Sequence, residues 1–354
     1  MSDVFLTLGP EGFGSYEVDF SFSPPRLTRT DTDADHTLVP GFVDIHIHGA
    51  FGIDFMEATS QEMDLLCFKL AEQGYESFLP TTVTASLADV RKALKNLPDN
   101  PMIAGFHLEG PFISPQHPGA QPPASIVDPN TAQEEWREVL EDERLKVVTL
   151  APEVPGALDL TKFLTQHGVV VSMGHTDATF EQARAGYEAG AQHTTHTFNA
   201  MRGLHHREAG AVGYALVNDA VRCELIYDRV HVSKPAAELL VRSKPAGGLI
   251  AVSDSSKATG LAAGEKLTMW GHECVTRPGE VRLASSGALA GSAITLLDAF
   301  RNLAADFGAE VAIRACSLNP RAALRRLAPP TAYVLFDPQY EIVDRQKLSA
   351  SPAR

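Results

Sequence analysis

The stretch Val39–Phe55 reads VPGFVDIHIHGAFGIDF, and in it Asp44, His46 and His48 take alternate positions within an otherwise apolar run. Side chains alternate across a strand, so these three are expected to share one face while Val43, Ile45 and Ile47 share the other. Imidazoles and a carboxylate on one strand face can ligate a metal ion or move protons. A lone His-x-His serves equally well as a satisfied core pair. Its meaning depends on what else the chain brings to it.

The same pattern recurs at the ends of four further apolar runs. GFHLEG places Glu109 last, with His107 on the same parity. VVVSMGHT ends with His175, HTTHTFNAM carries His196, and IAVSDSS carries Asp254. A buried carboxylate or imidazole is costly unless it is paired or metal-bound. Convergence of His46, His48, Glu109, His175, His196 and Asp254 on one rim therefore predicts one or two divalent cations. Nitrogen and oxygen donors without thiolates suit a first-row metal, with Zn or Fe foremost.

Elements that would hold these residues follow from the alternation of strand-like and helix-like stretches. The strand candidates are 42–48, 77–83, 103–109, 146–151, 169–175, 191–196, 222–228 and 249–254. Helical periodicity separates most of them, at 61–73, 87–96, 132–141, 157–167, 179–189 and 235–241, with 295–307 after the last strand; it is weak at 210–218. Parallel strands need crossover connections, so eight such units predict an α/β fold, a (β/α)8 TIM-like barrel. In that fold, active sites lie at the C-terminal rim of the strands, where the six residues fall. Residues 1–38 and 331–354 alternate as short strands do and are expected to meet in a small β-sandwich domain beside a barrel of residues 39–330. Leu267–Leu283 reads as a β-ribbon inserted after the eighth strand.

Composition bounds the function. With 44% hydrophobic and 21% charged residues the chain is expected to fold, and a net charge of −14 argues against nucleic-acid or anionic-membrane partners. No apolar run approaches the roughly 20 residues of a membrane span. Cys67, Cys223, Cys274 and Cys316 form no Cys-x-x-Cys pair, and with no signal-peptide pattern they read as reduced thiols of a cytoplasmic protein.

Seven segments in order, PGFVDIHIHG (40–49), GFHLEGPFI (105–113), GHTDA (174–178), THTFNAM (195–201), HHREAGAVG (205–213), VSDSSKATG (252–260) and LAGS (289–292), resemble those of the amidohydrolase superfamily, and within it the N-acetylhexosamine-6-phosphate deacetylases. The resemblance spans about residues 39–325. It implies a barrel with a small β-domain, a homodimer, and metal-dependent hydrolysis of N-acetylglucosamine 6-phosphate to acetate and the amino-sugar phosphate. By the same resemblance, Glu109, His175 and His196 bind the principal metal. His46 and His48 bind a second, with Glu109 bridging. Asp254 carries the proton from water to the departing amine, Arg207 reaches the phosphate, often from the partner subunit, and Asn199, Ala200 and His231 contact the substrate.

This chain departs from the family pattern in three places. Gln121 stands where the family has a histidine that polarises the acetyl carbonyl; a glutamine can donate an N–H there but carries no charge. His117 is either a substitute or a loop residue. Arg229 replaces the usual glycine after Asp228, pointing to the pocket or to solvent, and the C-terminal β segment is short. Two other functions compete: an amidohydrolase for a different amide, such as N-acetylgalactosamine 6-phosphate or a cyclic amide, and a barrel that only binds. The complete set of ligands argues against the last.

Overall fold

Eight short strands pair in parallel in chain order to form the barrel wall, as read from a computed structural model that describes residues 3–324 and 328–347. They are β1 (Phe42–Ile47), β2 (Tyr75–Thr82), β3 (Phe106–Glu109), β4 (Leu145–Leu150), β5 (Val170–Met173), β6 (His193–Thr194), β7 (Arg222–Ile226) and β8 (Leu249–Val252). The seam between β8 and β1 closes just past the strand ends. There Asp254 N–H donates to the His46 carbonyl at 2.9 Å and His48 N–H donates to the Ser255 carbonyl at 2.9 Å. The expected (β/α)8 barrel is present.

Helices cover the outside of the wall. Those at Ser60–Glu72, Phe180–Ala189 and Leu296–Phe307 begin with reciprocal caps from Thr59, Thr179 and Thr295, which satisfy two of the amides left open at a helix start. Gly210–Val217, where the helical pattern is weak, is also a helix. Its residues from Gly210 to Ala215 are all buried, so it has no polar face to reveal a period.

Two apolar layers position the site. Phe42, Phe78, Phe106, Leu150 and Phe300 pack between wall and helices. Val43, Ile45, Leu79, Val147, Val170, Ile226, Ile250 and Val252 form a second cluster that fills the barrel interior. The presence of Val43 and Ile45 there corrects the expected face of β1. Between β1 and β2 the register pairs Asp44 with Phe78 but Ile47 with Pro80, so β1 holds one extra residue. Such a bulge reverses the alternation. His46 and His48 still point inward, whereas the Asp44 carboxylate turns outward and accepts a hydrogen bond from the Tyr75 hydroxyl at 3.3 Å.

The two ends of the chain share one six-stranded mixed sheet, in the order Ile342–Lys347, Ala332–Phe336, Thr37–Pro40, Asp3–Gly9, Gly12–Asp19, Arg26–Arg29. Residues 348–354 of the expected end segment lie outside the described residues. The inserted ribbon is four antiparallel strands from Lys266 to Ser292. All four cysteines are buried and free, and among the described residues no helix is long and apolar enough to cross a membrane.

Close approach inside the barrel explains one glycine. A Cβ on Gly174 would lie 2.5 Å from Thr195 Cβ and 2.8 Å from Thr149 Cγ2. Gly174→Ala is expected to lower stability by about 1–3 kcal/mol through overpacking. Denaturant unfolding measures it, and an unchanged midpoint would show that the neighbouring threonines move aside.

Candidate active site

Six side chains meet at the C-terminal mouth of the barrel. His46 lies in β1, His48 follows it and Glu109 ends β3, while His175, His196 and Asp254 each stand two residues beyond β5, β6 and β8. These last three have positive φ angles of 46°, 28° and 47°. That conformation is strained for residues other than glycine and tends to persist where surrounding contacts enforce it for function. Here it turns each side chain back over the rim.

Glu109 is the hub. Its Oε1 lies 3.1 Å from His175 Nε2, 3.0 Å from His196 Nε2 and 3.3 Å from His46 Nε2, and its Oε2 lies 3.3 Å from His48 Nε2. Asp254 Oδ1 lies 3.2 Å from His48 Nε2 and 3.5 Å from His46 Nε2. The Nε2 atoms of His175 and His196 are 3.2 Å apart. All six residues are buried.

The far sides of the rings set their orientation. His48 Nδ1 faces the Thr81 carbonyl at 3.0 Å and His175 Nδ1 faces the His117 carbonyl at 3.0 Å. A carbonyl only accepts, so each Nδ1 carries a proton and each Nε2 is the nitrogen turned to the centre. His46 Nδ1 faces Glu224 Oε2 at 3.4 Å, while its buried Nε2 has no hydrogen-bond partner. An orphaned ring nitrogen aimed at carboxylate oxygens suits a metal ligand.

Electrostatics point the same way. Burial works against a charged imidazole, yet the carboxylates of Asp254 and Glu109 push His48 up to about 9. Burial is likewise overcome at His46, which Glu109, Glu224 and Asp254 raise well above its ordinary value. Glu109 is held well below the usual carboxylate range, because His46, His175 and His196 outweigh its burial. The cluster therefore calls for positive charge at its centre. Two sets of donors, His46/His48/Asp254 and His46/Glu109/His196, have ligand atoms within 4.8 Å of one another. These nitrogen and oxygen donors form a site for a divalent metal.

A supporting tier lies beneath. His107 bridges the Ile45 carbonyl, at 2.9 Å, and Thr149 Oγ1, at 2.8 Å. Burial and the nearby His46 push it down to about 3, so it stays neutral. Glu224 accepts from Ser172 Oγ at 3.4 Å beside His46. Residue patterns gave these two no site role, although Glu224 is a carboxylate inside the apolar strand RCELI. Trp270 and Leu289 were also missed. They come from the inserted ribbon and line the cavity, with the Trp270 ring 5.2 Å from that of His48 and its indole N–H donating to Asp54 Oδ2 at 3.2 Å.

Gln121, Asn199, Ala200 and His231 line the same cavity as His48, Glu109, His175, His196 and Asp254. His231 Nδ1 pairs with Asp228 Oδ2 at 2.6 Å. Gln121 is clamped: its Oε1 accepts the Thr84 N–H at 2.6 Å and its Nε2 donates to Glu109 Oε2 at 2.5 Å. Arg207 is exposed, off the cavity wall, with one guanidinium nitrogen 2.8 Å from His206 Nε2. Arg229 pairs with Asp306 at 2.7 Å and so is committed away from the cavity. The His117 ring pairs with Asp177 at 3.0 Å and does not stand in for the missing histidine.

Comparison with known proteins agrees with this geometry. Residues 37–327 match the model of the amidohydrolase family. The N-acetylglucosamine-6-phosphate deacetylase of Lysinibacillus sphaericus is 38% identical, over 75% of this chain and 70% of its own length. The N-acetylgalactosamine-6-phosphate deacetylase of Escherichia coli O157:H7 is 37% identical, over 85% and 81%. The crystal structure of N-acetylglucosamine-6-phosphate deacetylase from Thermotoga maritima superposes with a TM-score of 0.86 at 32% identity, covering 97% of this chain and 96% of that one. With a buried cluster fit for a divalent metal and relatives of this similarity, the chain is an enzyme of the amidohydrolase family, on the branch that holds the N-acetylhexosamine-6-phosphate deacetylases.

Proposed function

We propose that the enzyme releases acetate from an N-acetylhexosamine 6-phosphate, with N-acetylglucosamine 6-phosphate as substrate. The observation that carries this reading is the convergence of Glu109, four histidines and Asp254 at the barrel mouth, where all but the fully buried His46 line one cavity. Glu109, His175 and His196 hold the principal ion, Zn or Fe, and His46 and His48 offer a second position. A bound divalent ion supplies Lewis acidity, acidifying water and polarising the amide carbonyl.

The chain supplies the proton traffic. Asp254 is held in its ionised form by His48 and His46 despite its burial. It accepts a proton from the attacking water and delivers it to the amide nitrogen, so that the C–N bond breaks to a neutral amine and acetic acid, which then ionises to acetate. Gln121 Nε2 stands on the cavity wall beside Glu109, within the reach of a donor to the carbonyl oxygen as negative charge develops there. Asn199, Ala200 and His231 line the space left for the sugar.

Arg207 is the proposed phosphate ligand. Its exposure fits a residue that serves a neighbouring subunit's cavity in a homodimer. Arg207→Ala is expected to raise KM for the phosphorylated sugar about ten- to a hundredfold, the worth of hydrogen bonds to a charged group. Its effect on the unphosphorylated sugar should be small. Steady-state kinetics on both sugars checks this, and equal losses on both would remove the phosphate role.

The relatives include deacetylases of both the gluco and the galacto sugar at nearly equal identity, which favours testing the galacto epimer as a second substrate. The experiment is acetate release from both 6-phosphates and from unphosphorylated N-acetylglucosamine, on protein of measured metal content. Turnover of a 6-phosphate alone supports the proposal. No acetate from either 6-phosphate by metal-loaded protein overturns it.

A further inference from the structure

We propose that Trp270 sets the acyl selectivity of this enzyme, its indole closing the cavity beyond the scissile carbonyl so that acetyl fits and longer acyl chains do not. The inference rests on reading the site as that of a deacetylase. It goes beyond that reading in giving the size limit to a residue of the inserted ribbon.

The indole is held from several sides. Trp270 and Gly271 form the two-residue tip of the hairpin that joins Lys266–Met269 to His272–Arg277, where Met269 pairs with His272. Their φ angles of 52° and 82° are those of the tight turn that asparagine and glycine ordinarily fill. A bulky side chain at positive φ is strained and persists where its surroundings hold it. Here the indole N–H donates to Asp54 Oδ2 at 3.2 Å. Asp54 is itself buried, and its Oδ1 accepts the Met56 N–H at 2.9 Å. The far edge of the indole abuts Gly291, where a Cβ would lie 3.2 Å from Trp270 Cη2. The ring also meets that of His48 at 67°, with centroids 5.2 Å apart. The indole is thus a fixed wall of the cavity.

Its place relative to the amide follows from the residues around it. Asn199 and Ala200 follow β6 and His231 follows β7, which puts the sugar on that flank. Asp254, beyond β8, serves the amide nitrogen, and Gln121, beyond β3, the carbonyl oxygen. A secondary amide is planar and trans, so its acyl carbon chain points away from the sugar. That direction leads from β6 and β7 towards the flank over β1, where Trp270 stands beside His48. Ala120, next to Gln121, packs with Trp270 on the ribbon's small core of Ala258, Met269, Cys274 and Ala290. The loop beyond β3 and the ribbon therefore meet on this flank, and a chain longer than acetyl runs into the indole.

The test is an acyl series, N-acetyl, N-propionyl and N-butyryl, built on the amino-sugar 6-phosphate that the metal-loaded enzyme turns over, with release of the free amine as the readout. Wild type is expected to favour acetyl over butyryl by about a hundredfold or more in kcat/KM, since each methylene in a shaped pocket counts for about tenfold or more. Trp270→Gly keeps the turn, because glycine adopts positive φ freely, and is expected to cut that preference at least about tenfold. Trp270→Phe, which keeps an aromatic ring of smaller reach, should fall between the two. Wild type that takes butyryl as readily as acetyl would overturn the inference. So would a KM raised equally for every acyl length in both variants, which would make the indole a platform for the sugar ring. No free amine from the acetyl compound of either sugar would overturn the deacetylase reading and this inference with it. Turnover of the acetyl compound with an unchanged preference in both variants overturns this inference alone.

Discussion

Asp254→Asn is expected to lower kcat for acetate release by about 10²–10⁴-fold, the usual worth of a positioned proton carrier. The asparagine should fit the site with little change. The main chain at Asp254 is fixed on both sides, its N–H bonded to the His46 carbonyl and its own carbonyl accepting the Ser292 N–H at 2.8 Å. An amide of the same shape keeps those bonds and stays beside His48, but it cannot take up a proton from water. Metal content and KM should therefore change little while turnover collapses. Such a pattern marks an interaction made only in the transition state. Metal analysis beside steady-state kinetics decides it, and a variant that loses its metal along with its turnover would make Asp254 a ligand first.

Removing the metal should have an effect of similar size on activity and a second, pH-dependent effect on stability. Chelation is expected to bring acetate release to background, with recovery on adding Zn2+ or Fe2+. Stability should fall as well, because an ion that binds only the folded chain stabilises it by about 4 kcal/mol at a thousand times its dissociation constant. In the metal-free protein, protons take over the role of the cation. The His48 ring has a folded value of about 9 against 6.5 when unfolded. A raised value on a base favours the folded state fully below 6.5, and that contribution is lost as pH climbs through 9. Metal-free protein should thus lose melting temperature between pH 6.5 and 9, whereas metal-loaded protein, with neutral imidazole ligands, should not show this slope. Calorimetric scans of both forms across that range check it. Parallel slopes would mean that the imidazoles remain neutral without metal.

Much of this arrangement is legible in the sequence because the chemistry sits at strand ends. An apolar run that stops at a histidine or carboxylate announces both a strand and the rim, and GHT, THTF and SDSS each place their polar residue just past the last wall residue. What escapes is set by contacts between distant segments. The extra residue in β1, which turns Asp44 outward and Val43 inward, is defined only by its partner strand. Glu224 carries a visible signal, a carboxylate in an apolar strand, but its place beside His46 depends on closure of the wall, which brings β7 within one strand of β1. Trp270 enters from a ribbon whose return path over the cavity no local pattern encodes. The helix over Gly210–Val217 hides for the opposite reason, since burial of every residue from Gly210 to Ala215 removes the polar stripe by which helices are recognised.

The seam of the barrel has a consequence for how the protein comes into being. Ser253 N–H reaches the Asp44 carboxylate across 209 residues of chain, and the neighbouring Asp254 N–H donates to the His46 carbonyl. Closing so long a loop is slow, because its entropic cost comes before any of the contacts that reward it. The first wall strand, made early on the ribosome, gains its seam partner only once the eighth has been synthesised. Closure of the wall and completion of the buried cluster are thus one late event. A chain interrupted anywhere before Asp254 lacks both the last residue of the cluster and a sealed wall.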